Sequence, residues 1–224
     1  MAWFTFWGWN LVIVLAVVLL VGLVNAEKTE RPKWILMFKT PLSLLFIFAW
    51  TLQPAQNGHF TGLVLIALVC CLGGDVLLAF GSRGTFLLGL ISFLLGHVMY
   101  AAAFFTVGNV GSTMAIGTIL LMVAAAWVWR WLEPHLGNMC IPVLAYIVVI
   151  SIMVCGAFGI LGNPTLPPHA RGTIVAGAIL FYISDLFVAR QRFVVGAHAN
   201  RAFGLPLYYT AQFMLAFSAA WVPG

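Results

Sequence analysis

The sequence predicts an all-α fold, a polytopic membrane bundle of eight transmembrane helices in a single integral membrane domain, residues 1–224. Of the 224 residues, 63% are apolar and 7% charged, whereas about a quarter of the residues are charged in soluble domains. The chain also contains eight apolar stretches, each close in length to the about 20 residues that a helix needs to cross a bilayer core. In such a protein a net charge of +5 does not indicate a nucleic-acid partner, and none is expected.

The predicted spans follow one another along the whole chain. In order, they are residues 3–24, 39–56, 60–80, 86–107, 112–132, 138–160, 170–190 and 202–222. Short connections containing Gly, Pro or Asn separate them, at residues 53–58, 81–84, 108–111 and 163–168 among others. These connections leave no room for a soluble domain.

The basic residues predict an orientation. Nine of the ten Lys and Arg residues lie in or beside the connections after spans 1, 3, 5 and 7, and Arg171 alone lies on the opposite face. Cytoplasmic loops of membrane proteins are enriched in Lys and Arg, so both termini are predicted to be extracytoplasmic. The regular alternation also supports the count of eight spans.

The two aspartates of the chain, Asp75 and Asp185, lie inside predicted spans, whereas Glu27, Glu30 and Glu133 fall in connections. An Asp at the centre of a transmembrane helix costs about 2.5–3.5 kcal/mol, so it normally faces the bundle interior and marks a functional site. Each aspartate precedes the cytoplasmic end of its span by about five residues, or roughly 7–8 Å. We therefore expect both at one depth, towards the cytoplasmic side.

The sequences around the two aspartates are similar. Asp75 is followed by Val-Leu-Leu-Ala and Asp185 by Leu-Phe-Val-Ala, at an offset of 110 residues (185 − 75). The similarity leaves open whether the chain consists of two parallel four-helix repeats, 1–110 and 111–224, related by an axis along the membrane normal. Such an axis would bring spans 3 and 7 to equivalent places around a central site.

Further polar residues extend the candidate site. His97 lies near the middle of span 4 with Tyr100 on the same helical face, and Gln212 lies in span 8 one turn after Tyr209. Lipid offers no hydrogen-bond partner, which favours a site role for His97 and leaves Gln212 open between substrate contact and helix pairing. Lys39 is predicted to open span 2 at the cytoplasmic boundary.

No pattern typical of a metal or cofactor site is present in the sequence. His97 is the single histidine predicted inside a span, and we expect it at a different height from the aspartates, whereas catalytic zinc needs about three ligands at one depth. The four cysteines lie in or beside apolar segments without a CxxC pair, which indicates core residues. No metal and no cofactor are therefore expected.

An ordered set of motifs resembles the YhhN family of integral membrane proteins, whose characterised animal members are lysoplasmalogenases. The matching segments are Lys39-Thr-Pro41-Leu, Leu72-Gly-Gly-Asp75-Val-Leu-Leu, Phe93-Leu-Leu-Gly-His97-Val-Met-Tyr100, Pro142-Val-Leu-Ala-Tyr146, Ser184-Asp185 and Tyr208-Tyr209-Thr-Ala-Gln212. The resemblance covers spans 2 to 8 and implies eight spans. It also implies that Asp75 and Asp185 correspond to the two presumed catalytic acids of the family. The short chain is typical of bacterial members, so we expect a bacterial inner (plasma) membrane.

This resemblance implies hydrolysis of the vinyl ether bond of a lysoplasmalogen, a lyso-ether phospholipid, to a fatty aldehyde and a glycerophospho-head group. Such hydrolysis begins with protonation of a carbon atom, and water then adds to the oxocarbenium ion. One carboxyl must therefore hold a proton at neutral pH, which desolvation favours, while the other stays ionised. We expect Asp75 and Asp185 to fill these roles, with the assignment of acid and base left open.

The remaining candidates are assigned to substrate binding. His97, Tyr100, Tyr209 and Gln212 are expected to position water and the glycerol oxygens, and Lys39, with Arg190 and Arg192, to hold the phosphate of a lysophospholipid entering from the surrounding membrane lipids. A proton-coupled transporter of a small molecule or lipid is the alternative, because buried Asp and His are equally typical of proton relays.

Overall fold

The computed structural model describes residues 2–53 and 58–222, with side chains from Trp9 onward. Eight long helices make up most of these ranges, and no β-strand occurs in them. The helices are α1 (Ala2–Ala26), α2 (Pro32–Thr51), α3 (His59–Leu78), α4 (Arg83–Val107), α5 (Ser112–Leu136), α6 (Cys140–Leu161), α7 (Pro168–Ala189) and α8 (His198–Ser218). The chain after α7 continues as a π-helical turn, Arg190–Val194, before α8 begins.

The prediction of an all-helical membrane protein is confirmed at this level. Helices α1 to α7 are long and apolar enough to cross a bilayer, with α5 and α6 counted in one apolar stretch, Ser112–Leu161. Helix α8 does not reach that composition, because it contains Asn200, Arg201 and Gln212. Seven of the eight helices in the described ranges thus have the length and composition of membrane spans.

The bounds of the second helix differ most from the prediction. Helix α2 begins at Pro32, seven residues before the predicted start at 39, with a proline at the first position of the helix. Proline is favoured there because the first N–H of a helix has no partner within the helix. The predicted end of this span, at 56, lies outside the described residues. The interior of the helix contains Pro41, which a membrane helix tolerates when neighbouring helices satisfy the freed backbone groups.

Close packing of two helical hairpins, α3–α4 and α7–α8, forms the largest helix contacts in the described ranges. In the first hairpin, Gly74 lies directly against the ring of Phe93, and Gly96 lies against Cys71 and the backbone of Ala67. Ser92 donates a hydrogen bond across the same interface to the carbonyl of Cys70, at 2.7 Å. Small residues and interhelical hydrogen bonds of this kind hold membrane helices together where water is absent.

The remaining helices surround these hairpins. Helix α6 packs against α4 and α7, and α2 packs against α3 and α8. Helices α1 and α5 lie at the periphery, and α5 exposes large apolar side chains such as Ile119, Met122 and Trp127. These side chains form a surface suited to lipid. The interior between the hairpins contains the polar residues of the candidate site.

Candidate active site

A cavity opens between helices α2 to α8, with an empty volume of about 1030 Å³ that includes its mouth. Both aspartates line it. Asp75 lies three residues before the end of α3 and Asp185 four residues before the end of α7. The positions of these two residues near the ends of α3 and α7 bring both carboxyl groups to one cavity.

The carboxyl group of Asp75 is surrounded by hydrogen-bond donors. The Nζ atom of Lys39 lies 3.2 Å from its Oδ1 atom. The hydroxyl groups of Ser43 and Tyr208 both donate to Oδ2, each at 2.7 Å. A carboxyl group that accepts from three donors, one of them an ammonium group, is suited to the ionised state.

The prediction that Lys39 opens the second span is wrong. Residues 32–38 extend the helix by two turns, so Lys39 lies within α2, and its side chain is only 4% exposed. The ammonium group is directed to Asp75 rather than to the membrane boundary. A buried ammonium group needs a paired charge, and Asp75 provides it.

The carboxyl group of Asp185 has a different environment. The hydroxyl group of Tyr146 donates to its Oδ2 atom at 2.7 Å. The Nε2 atom of His97 lies 3.7 Å from the same oxygen. In the described part of the chain no Lys or Arg forms an ion pair with Asp185, and its side chain is 17% exposed, against 2% for Asp75.

The hydrogen bonds of His97 define which ring nitrogen holds the proton. Nδ1 lies 2.7 Å from the carbonyl oxygen of Phe93, which can only accept, so Nδ1 donates. Nε2 is buried and has no hydrogen-bond partner among the described residues. In the neutral ring Nε2 is therefore an acceptor that faces Asp185. The expectation that His97 lies at a different height from the aspartates is wrong, because the two side chains are neighbours.

A chain of hydrogen bonds connects α4 and α8 behind the cavity. The hydroxyl group of Tyr100 donates to Oε1 of Gln212 at 2.7 Å, and Nε2 of Gln212 donates to the hydroxyl oxygen of Tyr208 at 3.1 Å. Tyr208 in turn donates to Asp75. Tyr209 lies 3.1 Å from the hydroxyl group of Ser43.

Of the five residues predicted to bind substrate, Lys39 lines the cavity. The other four, His97, Tyr100, Tyr209 and Gln212, are buried in its wall and do not line it. His97 lies beside Asp185, Tyr209 and Gln212 contact Ser43 and Tyr208, which donate to Asp75, and Tyr100 donates to Gln212. Their prediction as substrate-binding residues therefore has no support from the cavity lining.

Among the residues described by the structure, no group of three or more His, Cys, Asp and Glu side chains could hold a metal ion. The aromatic ring of Phe181 packs against His97, which lies beside Asp185, and against Tyr208, which donates to Asp75, with ring centroids 4.5 Å and 5.3 Å apart. The site thus consists of two polar clusters, one around each carboxyl group.

Comparison with known proteins assigns the family. The model of the YhhN family matches residues 33–219, most of the chain. The chain belongs to the YhhN family.

Similar proteins include named enzymes. This YhhN protein is 30% identical over 204 residues to Lysoplasmalogenase TMEM86A of Bos taurus, covering 85% of the chain and 80% of the relative. It is 28% identical over 202 residues to Lysoplasmalogenase TMEM86B of Rattus norvegicus, covering 87% and 77%. It is 30% identical over 179 residues to Lysoplasmalogenase of Mycobacterium tuberculosis, covering 77% of the chain and 64% of the relative. No solved structure matches the chain.

Three residues of the two clusters were absent from the predicted site: Ser43, Tyr146 and Tyr208. Helical spacing could have indicated two of them, since Ser43 follows Lys39 by four residues and Tyr208 precedes Gln212 by four. Tyr146 is part of the family motif that begins at Pro142. The sequence of its span contains no second polar residue on the same helical face that would have indicated contact with Asp185.

Proposed function

We propose that this YhhN protein is a lysoplasmalogenase, a hydrolase that cleaves the vinyl ether bond of a lyso-ether phospholipid to a fatty aldehyde and a glycerophospho-head group. The named relatives support the reaction. The observation that supports a mechanism is that Asp75 and Asp185 line one cavity but have unlike partners.

The partners assign the two roles. Asp75 accepts from Ser43 and Tyr208 and pairs with Lys39, so it is the ionised carboxylate. Asp185 has no Lys or Arg partner in the described part of the chain, and the unprotonated Nε2 atom of His97, 3.7 Å away, adds no positive charge. A desolvated carboxyl group without a counter-charge favours the protonated form. Asp185 is therefore the proton donor, with His97 as the group that returns the proton to it.

The reaction then follows in balanced steps. Asp185 transfers its proton to the alkenyl carbon next to the ether-bearing carbon, and the ether-bearing carbon becomes an oxocarbenium ion. The negative charge of Asp75 stabilises this cation in the largely apolar cavity. Water adds to the cationic carbon and gives its proton to Asp185, directly or through His97. The hemiacetal collapses as its hydroxyl proton moves to the glycerol oxygen, and the aldehyde is released.

The lining of the cavity orients the substrate. Apolar side chains of α5 and α6, including Leu132, Ile147 and Ile150, line the part of the wall that includes Tyr146. Lys39, Asn200 and Arg201 provide polar lining on α2 and α8. The alkenyl tail therefore occupies the α5–α6 side and the glycerol the α2–α8 side. This direction places the carbon to be protonated nearer Asp185.

We propose further that all eight helices span the membrane as two parallel four-helix repeats. The contacts of the two aspartates support the repeat. Asp75 on α3 is contacted by Ser43 on α2 and Tyr208 on α8. Asp185 on α7 is contacted by Tyr146 on α6 and His97 on α4, the helices that the repeat makes equivalent to α2 and α8. The pairs α2–α8 and α4–α6 are likewise equivalent contacts. The charge bias supports extracytoplasmic termini and a site towards the cytoplasmic side of a bacterial inner membrane.

Turnover of a purified vinyl-ether lysolipid in D₂O tests the mechanism. Carbon protonation predicts one deuterium at the carbon next to the aldehyde group when the product is trapped at once by reduction. Asp185→Asn and Asp75→Asn should each lower kcat by at least about 10³-fold, and Glu133→Gln, at an exposed position of α5, should not. Near-normal aldehyde release by either Asp variant would contradict the mechanism.

The same preparation distinguishes the alternative function. A proton-coupled transporter reconstituted in proteoliposomes would move its substrate in response to a pH gradient without releasing aldehyde. Flux without turnover would therefore replace the enzyme by the carrier, whereas turnover without a pH gradient supports the enzyme.

A further inference from the structure

A second cavity adjoins the first at the ends of α3 and α7 and the start of α4. Its lining includes Gly81, Gln191 and Arg192, and it shares Leu78, Phe86, Val188 and Arg201 with the main cavity. We propose that this cavity binds the phosphodiester of the lysolipid head group. The identity of the lipid rests on the proposed function, whereas the anion site rests on the residues themselves.

The Arg192 guanidinium group is positioned as an anion receptor. Its central carbon lies 4.4 Å from the centroid of the Phe86 ring, and Phe193 packs edge-on against the same ring at 5.8 Å. In the described ranges no carboxylate forms an ion pair with Arg192. A guanidinium group held over an aromatic ring by a cation–π contact has N–H groups available for a phosphate oxygen.

Arg201 completes the charge of the site. Its Nε atom lies 3.5 Å from a carboxylate oxygen of Glu27, whose side chain is 8% exposed. This contact orients the side chain and neutralises one positive charge. Two guanidinium groups and one carboxylate leave one net positive charge, which matches the single negative charge of a phosphodiester.

The neighbouring basic residues are engaged elsewhere. Lys39 is paired with Asp75, and Arg190 donates to the side-chain oxygen of Asn200 at 2.5 Å. These contacts explain why the phosphate site is assigned to Arg192 and Arg201, rather than to the predicted set of Lys39, Arg190 and Arg192. Arg192 is the member common to both sets.

The position of the second cavity fits the length of a glycerol unit. Leu78 lines both cavities and follows Asp75 by three residues, or about 4.5 Å along α3. Gly81 leaves the edge open, since a Cβ atom there would meet nothing within 4 Å and its φ of +68° favours glycine. A vinyl ether held beside Asp75 can thus extend its glycerophosphate towards Arg192.

The test measures equilibrium binding by full-length protein in lipid nanodiscs, without turnover. The probes are 1-O-hexadecyl-glycero-3-phosphocholine, a saturated ether that has no double bond to protonate, and 1-O-hexadecylglycerol, which lacks the phosphate. Arg192→Gln and Arg201→Gln should each weaken binding of the phosphocholine lipid about tenfold or more, with less than about a twofold change for hexadecylglycerol. Arg192→Lys should fall between, because it keeps the charge without the planar stacking.

Arg83→Gln is the matched control, because Arg83 is exposed at the start of α4 and lines neither cavity. It should bind both lipids as the wild type does. Wild-type affinity of Arg192→Gln and Arg201→Gln for the phosphocholine lipid would overturn the proposal, as would an equal loss for both lipids. Inorganic phosphate competing as well as the lysolipid would show a site for a free anion and overturn the assignment to a head group. If the variants lost affinity for the phosphocholine lipid alone, but the wild type released no aldehyde from a vinyl-ether lysolipid, the proposed function would be wrong and the anion site would be supported.

Discussion

The Nζ atom of Lys39 lies 3.2 Å from Oδ1 of Asp75, and the two side chains are 4% and 2% exposed. Removing one partner of such a buried pair leaves an uncompensated charge and costs about 3–5 kcal/mol. Lys39→Met should therefore lower the free energy of unfolding by about 3 kcal/mol or more, measured by denaturation in detergent. The double variant Lys39→Met with Asp75→Asn should recover most of that loss.

Lys33→Met provides the control on the same helix, because Lys33 is exposed and should change stability by less than about 0.5 kcal/mol. If Lys39→Met were as stable as Lys33→Met, the ion pair would not contribute to the folded state.

Tyr146→Phe removes the hydroxyl group that donates to Oδ2 of Asp185. The carboxyl group would lose its orientation towards His97, so kcat should fall about 10- to 100-fold with little change in KM. In the double variant, the losses in kcat caused by Tyr146→Phe and Asp185→Asn should not add, because the two side chains act together as one catalytic unit. Aldehyde release measured with each single and the double variant checks this, and additive losses would mean that Tyr146 acts independently.

His97→Asn tests the proposed role of Nε2 in returning the proton to Asp185. The Asn amide can still donate near the Phe93 carbonyl, where Nδ1 donates in the wild type, but nothing replaces Nε2. We expect kcat to fall about 10²- to 10⁴-fold while the melting temperature changes little. A large fall in melting temperature with nearly normal kcat in the folded fraction would make His97 a structural residue.

Gln212→Leu should destabilise the bundle by about 1–3 kcal/mol, because the buried Tyr100 hydroxyl group loses its acceptor. Adding Tyr100→Phe removes the unsatisfied hydroxyl group and should restore part of that stability. Thermal unfolding of the two singles and the double measures the coupling. Equal stability of Gln212→Leu and the wild type would contradict the role of this hydrogen-bond chain.

Gly74→Ala should destabilise the α3–α4 hairpin by about 1–3 kcal/mol and reduce activity. A Cβ atom at Gly74 would lie 2.5 Å from the ring of Phe93, and that ring packs against Phe181 and Tyr208, which donates to Asp75.

Gly62→Ala is the control on the same helix, because a Cβ atom there meets nothing within 4 Å. It should leave activity unchanged and raise stability by up to about 1 kcal/mol through the higher helix propensity of Ala. If the two alanine variants behaved alike in melting temperature and activity, contact with Phe93 would not position the site.

Local sequence predicted much of the fold because membrane helices need only length and apolar composition. The predicted bounds of spans 3, 4, 6 and 7 agree with α3, α4, α6 and α7 within three residues. The start of α2 was misplaced, since Lys33 and Lys39 suggested a boundary, although Lys39 is buried.

The amino-acid sequence alone indicates the class of protein and the family. It also places two aspartates inside apolar helices, because the cost of a carboxyl group in lipid is a local property. The residues that contact those carboxyl groups depend on helix packing. Lys39, Ser43 and Tyr208 reach Asp75 from α2 and α8, and Tyr146 and His97 reach Asp185 from α6 and α4. Such pairings depend on how each helix rotates and packs against its neighbours, which no single span encodes. The same packing places four of the predicted substrate-binding residues behind the cavity wall.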